Sequence, residues 1–178
     1  MTLYIEPESM YDGDHMDVVI INALLHSLYN IFQTMVGEEI EPGMPEPKHD
    51  KTARGEVTAL IGMKAKNTNG SVSLTLNRAT IDEIAPKLMG EEIMDFDKDA
   101  PDLVGELVNM LAGGAKRVLA KNGLDFDMQT PKMMVGVGHE IEHYCPGQTV
   151  IIPVCLNQTE LFLELNFVWS KDDDLALS

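Results

Sequence analysis

Between Asp102 and Gly123 the chain reads DLVGELVNMLAGGAKRVLAKNG, and its apolar residues recur at helical, not strand, spacing. Stepped round a helix at about 100° per residue, Leu103, Val104, Leu107, Val108, Leu111, Ala115, Val118 and Leu119 share one broad apolar arc. Asp102, Glu106, Asn109, Gly113, Lys116 and Arg117 fall on the opposite side. Asp102 and Glu106 are four apart and Glu106 and Asn109 three apart, spacings that set these polar side chains next to one another. A Glu-x2-Asn pair alone is commonplace on the solvated face of an amphipathic helix. The glycines set this one apart, because each costs roughly 0.8–1.0 kcal/mol relative to alanine in a helix interior. Gly114 points towards the apolar arc, where close helix packing accounts for it. Gly105 and Gly113 flank the polar stripe, and the space they leave suits the approach of another protein's backbone.

Asp102-x3-Glu106-x2-Asn109, followed by Met110-Leu111-Ala112-Gly113 and Ala115-Lys116, resembles the signature of the CheC/CheX/FliY phosphatases. That family removes phosphate from the chemotaxis response regulator CheY. The likeness is greatest to the CheX-like branch, with one such motif per chain, and extends from about Met16 to Trp169. The resemblance implies a hydrolase acting on the aspartyl phosphate of a CheY-like response regulator. Asn109 would orient the attacking water, and Glu106 would pair with a lysine of the regulator. Asp102, Gly105 and Gly113 would belong to the docking surface. It further implies a homodimer with no intrinsic cofactor, the Mg²⁺ being bound by the partner regulator. The competing reading is a non-catalytic regulator-binding adaptor, or a flagellar switch component, of the same fold.

Charge narrows the function classes. A formal net charge of −16 and a pI near 4.5 repel phosphate backbones, so nucleic-acid binding is excluded. No uninterrupted run approaches the ~18 apolar residues of a membrane span. Glu6, Glu8, Asp12, Asp14 and Asp17 precede the first apolar stretch, unlike the basic start of a signal peptide, so the chain is expected to be cytoplasmic. Cys145 and Cys155, without CxxC spacing, read as two buried reduced thiols. The twelve methionines read as flexible core filling.

Along the chain, residues 1–15 lack periodicity and read as a tail. Asp17 is placed to cap a helix running to Val36 and stopped by Gly37; its buried stripe is Val18, Ile21, Leu24, Leu25, Leu28, Ile31, Phe32 and Met35. Glu41 to Gly55, with three prolines, reads as a loop or a broken edge strand. The period then switches to two through Val57–Met63 and Val72–Leu76, joined by a turn at Asn67-Thr68-Asn69-Gly70. Thr80 to Met89 reads as a short helix that Thr80 caps and Gly90 ends, with Pro86 kinking it or shifting its start. Glu91 to Ala100 reads as an acidic connector before Pro101, which suits the first turn of the central helix. Strands follow at Met133–Val137, Val150–Cys155 and Leu161–Phe167, the last two joined at Asn157-Gln158-Thr159, and residues 170–178 read as a second tail. His139 and His143 share a face if their segment is extended, but an exposed strand or loop outweighs a metal site there.

The expected fold is α+β. Two long helices pack on a largely antiparallel sheet of about six strands, with an approximate internal two-fold repeat, in a domain spanning 16–169. In that repeat the first helix carries Ser27-x2-Asn30 where the second carries Glu106-x2-Asn109. The first copy lacks the acid, so a single site is expected.

Overall fold

The computed structural model describes residues 15–170. The fold is α+β, as the sequence implies. Among these residues there are three α-helices, α1 (His15–Ile31), α2 (Arg78–Met89) and α3 (Phe96–Ala120). The strands are β1 (Glu41–Pro42), β2 (Glu46–Lys48), β3 (Val57–Lys64), β4 (Thr68–Leu76), β5 (Asp127–Met128), β6 (Lys132–Val135), β7 (Thr149–Leu156) and β8 (Thr159–Trp169). They form an antiparallel sheet of order β1-β7-β8-β4-β3-β5, in which β2 also pairs with β7 and β6 with β3. The two short strands at each edge therefore share one lane, so eight strands fill six positions. The prolines of Glu41–Lys48 lie on the edge, where a missing donor costs least.

The lane order reads the same from both ends when β1/β2, β3, β4 and α1 are matched to β5/β6, β7, β8 and α3. This is the internal two-fold, with an axis that passes between β4 and β8. Each half lends its edge pair to the other half's strand, β1 and β2 to β7 and β5 and β6 to β3. Helices α1 and α3 lie together over one face of the sheet. Their apolar stripes meet Val57, Ala59, Ile61, Val72, Leu74, Leu163 and Leu165 in a continuous core. The segment Asp17–Val36 is long and apolar enough to cross a membrane by length and composition, but more than half of it is buried here as the core helix.

Several elements depart from the sequence reading. Asp17 lies in the first turn of α1 and accepts a hydrogen bond from Trp169 Nε1 at 2.9 Å, tying the end of β8 to the helix. After Ile31 the helix widens into a π-helical turn, Phe32–Val36, closed by Gly37 at φ 77°. The wider turn brings Val36 into the core and leaves Met35 exposed. Helix α2 begins two residues before Thr80, and Asn77 is its cap, accepting from Thr80 N at 3.0 Å. Helix α3 starts at Phe96, inside the expected connector, and carries Pro101 in its interior. Asp99 Oδ2 reaches back to the Asp95 and Met94 amides at 3.0 and 3.3 Å, and the Arg78 guanidinium stacks 3.7 Å over the Phe96 ring. The β3–β4 turn is tighter than expected, since Lys64 pairs with Asn69 and Ala65 N donates to Thr68 O. Gly70 therefore lies within β4, where a Cβ would run into the Asn166 carbonyl. Cys145 is half-buried and Cys155 exposed, not buried as expected. The tails expected at 1–15 and 170–178 fall outside the described residues except at His15 and Ser170.

The other face of the sheet is polar and covered too. The loop from Gly136 to Gln148 folds over Thr58, Ser71 and Glu164, and Ile141 packs with Leu60 and Ala53 in a small second cluster. Lys48 Nζ donates to Glu164 Oε1 at 2.7 Å, both side chains about 1% exposed. His143, 5% exposed at its side chain, places Nε2 3.2 Å from Glu164 Oε2 and Nδ1 2.8 Å from Ser71 Oγ. Removing one member of a buried pair strands the other. Glu164→Ala is expected to lower the unfolding free energy by about 3–5 kcal/mol in denaturant titration, and a loss within error would show that Lys48 finds water or another acceptor.

Candidate active site

The rotation of α3 is fixed from within. Val104, Leu107, Val108, Leu111, Ala112 and Ala115 are fully buried. Ser27 Oγ of α1 donates to the Leu111 carbonyl at 2.9 Å, and a Cβ on Gly114 would collide with that hydroxyl. Gly114 therefore serves close packing of the two helices, as its place on the apolar arc suggests. With that side committed, the opposite stripe faces outward. Asp102 and Glu106 are exposed, and Asn109, Gly113 and Lys116 are half-buried. Among the described residues, the side chains of Asp102, Glu106 and Asn109 have no hydrogen-bond or ion-pair partner. The stripe is thus a carboxylate pair and a carboxamide held in order on a rigid helix with their polar atoms uncommitted.

The glycines divide. A Cβ on Gly113 would meet nothing nearer than Arg117 Nη1 at 3.9 Å, so the surface there is open. Gly105 is buried, and the Met133 methyl group of β6 occupies the space its missing side chain leaves. This corrects the expectation of open ground at Gly105, whose smallness admits a neighbour from its own chain.

Two clefts border the stripe. One of about 520 Å³ runs between α1 and α3, with His26, Ser27 and Asn30 on one wall and Asn109, Gly113 and Arg117 on the other. Asn30 is exposed, its Nδ2 3.2 Å from His26 Nε2, whereas Ser27 is buried and spends its hydroxyl on α3. The first copy of the motif thus lacks a free group where the second has Glu106. The other cleft, about 250 Å³, is walled by Met35, Leu88, Met89 and Met110, with Asp102 and Glu106 at its rim. Sequence reasoning missed this apolar cleft. It placed Met35 in the core because a π-helical turn leaves no periodic signal, and it assigned the methionines to core filling.

His139 and His143 sit on a loop, as expected, but their side chains turn inward onto the sheet's polar face. His139 places Nδ1 2.6 Å from Gly136 O and Nε2 2.6 Å from Thr58 Oγ1, so the ring nitrogens of both residues have protein partners. Among the described residues, no group of three or more His, Cys, Asp or Glu converges to hold a metal ion.

An uncommitted carboxamide offers an acceptor and a donor at once and carries no charge, whereas the neighbouring carboxylate only accepts. That pairing suits the positioning of a water beside a charged partner group. Residues 57–155 match the family Chemotaxis phosphatase CheX. The CheY-P phosphatase CheX of Thermotoga maritima is 26% identical over 148 residues, covering 83% of this chain and 94% of the relative. The crystal structure of the chemotaxis protein CheX of Vibrio vulnificus is 41% identical, with a TM-score of 0.76 over 84% of this chain and 99% of that one. A CheX chain in the CheX–CheY–BeF3–Mg²⁺ complex of Borrelia burgdorferi is 25% identical, with a TM-score of 0.66 over 85% and 98%. The chain belongs to the CheX family of chemotaxis phosphatases.

Proposed function

We propose that this chain hydrolyses the aspartyl phosphate of a CheY-like response regulator. The observation that carries the reading is the side-by-side display of Glu106 and Asn109 on α3, both without a partner among the described residues. An aspartyl phosphate is a mixed anhydride, and its hydrolysis needs a water held in line with the breaking bond while charge develops on the phosphoryl oxygens. The regulator brings its own Mg²⁺ and lysine to that charge. Asn109 enters the regulator's site, its carbonyl oxygen accepting from the water, and adds no charge to repel the phosphoryl group. Glu106, one turn away, pairs with the regulator's lysine and sets the register of the helix against the partner. Asp102 extends the acidic docking face, and Gly113 leaves room for the regulator's loops. A domain that only bound the regulator would have no use for a free carboxamide beside the acid. The names of the Thermotoga and Borrelia relatives support the same partner. The setting is the cytoplasm, and the two open edges of the sheet give a homodimer its surface.

Decay of the acetyl-phosphate-loaded regulator, followed in stopped flow, tests the roles separately. Asn109→Ala is expected to remove acceleration by roughly 10²-fold or more while binding to the regulator persists. Glu106→Ala is expected to weaken that binding about ten-fold as well. Unchanged decay with Asn109→Ala would remove the mechanism. Gly113→Ala is expected to split stability from function. It should raise the unfolding free energy by roughly 0.5–1 kcal/mol through helix propensity yet weaken regulator binding, and a variant that is both more stable and equally tight would show that Gly113 faces no partner.

A further inference from the structure

The apolar cleft beside Glu106 has a cause in the backbone. A regular continuation of α1 would carry Met35 inward with Ile31 and Phe32. The π-helical turn Phe32–Val36 instead buries Val36 and leaves Met35 45% exposed. Such turns are rare and recur at functional sites. The displaced Met35 lines the cleft together with Met89, the last residue of α2 and 39% exposed, and the half-buried Leu88 and Met110. The charged groups lining the cleft are both acids, Asp102 and Glu106. Three thioethers make an adaptable wall that re-packs around different shapes, and the acidic rim complements an apolar group flanked by positive charge.

We propose that this cleft receives an apolar side chain of the phosphorylated response regulator, next to the lysine that pairs with Glu106. Met35 and Met89 are then specificity-determining residues, setting affinity and the choice among regulators while leaving the chemical step alone. The inference rests on the proposed phosphatase function, since its occupant is that substrate. Its support is continuity: Glu106 belongs to the water-positioning stripe and to the rim of the cleft, so a partner seated over one covers the other.

The test uses the full chain and a CheY-like regulator carrying beryllofluoride and Mg²⁺ for affinity, and the phosphorylated regulator for turnover. Met35→Gln and Met89→Gln alter exposed positions at near-constant size and helix propensity, and thermal melting checks that each remains folded. The expected result for the double variant is a Kd and KM raised about ten-fold with kcat unchanged, and recovery in Met35→Leu/Met89→Leu. Unchanged affinity in both Gln variants, while Asn109→Ala still abolishes turnover, overturns the cleft and leaves the phosphatase reading standing. A fall in kcat at constant KM overturns it as well. A shift in oligomeric state on sedimentation identifies a second copy as the occupant and rejects the regulator. If Asn109→Ala keeps full turnover, the phosphatase reading falls and the cleft proposal falls with it.

Discussion

Burial of one side of α3 against α1 and the sheet is the constraint on which the site depends. Ten residues of that helix are buried, among them six large aliphatic side chains, and a fully buried side chain of that kind is worth roughly 1.5–3 kcal/mol. Rolling the helix to hide Asn109 would expose several of them at once, far more than the net stability of a domain tolerates. The close approach at Gly114 and the Ser27 bond to the Leu111 carbonyl remove the remaining freedom. The polar stripe is held outward by packing on the far side of the same helix, with no side-chain hydrogen bonds of its own among the described residues.

The two-fold repeat shows why the two copies of the motif differ. Matched halves put Asn30 and Asn109 on opposite walls of the groove between α1 and α3. The serine that stands in for Glu106 is drawn under α3 and becomes part of the packing. One copy has therefore become the scaffold that fixes the other. The polar back face of the sheet is sealed separately by Lys48, Glu164, His143 and the covering loop.

The sequence carried the α+β class, the outward stripe of α3, a loop or proline-broken edge strand within Glu41–Gly55 and the reason for Gly114, because each follows from a period or a backbone preference visible in one segment. What it could not carry depends on atoms brought from elsewhere. Gly105 announces a space, but only the fold shows that Met133 fills it. His139 and His143 alternate as on an exposed strand, yet they turn inward because the strands beneath them present Thr58, Ser71 and Glu164. Pro101 looked like a helix start, and the helix runs on past it because Asp99 and the Arg78–Phe96 stack anchor an additional turn and a half. Met35 escaped for a different reason: the widened turn that releases it breaks the very period by which a buried stripe is read.

The central claim is that a neutral carboxamide at position 109, presented on a fixed helix, positions the water. Asn109→Asp preserves its shape while exchanging the donor for a negative charge that repels the phosphoryl oxygens. In single-turnover decay of the phosphorylated regulator at saturating protein, the account predicts that Asn109→Asp accelerates decay little beyond the regulator's own rate. Acceleration equal to that of the unaltered chain would contradict it.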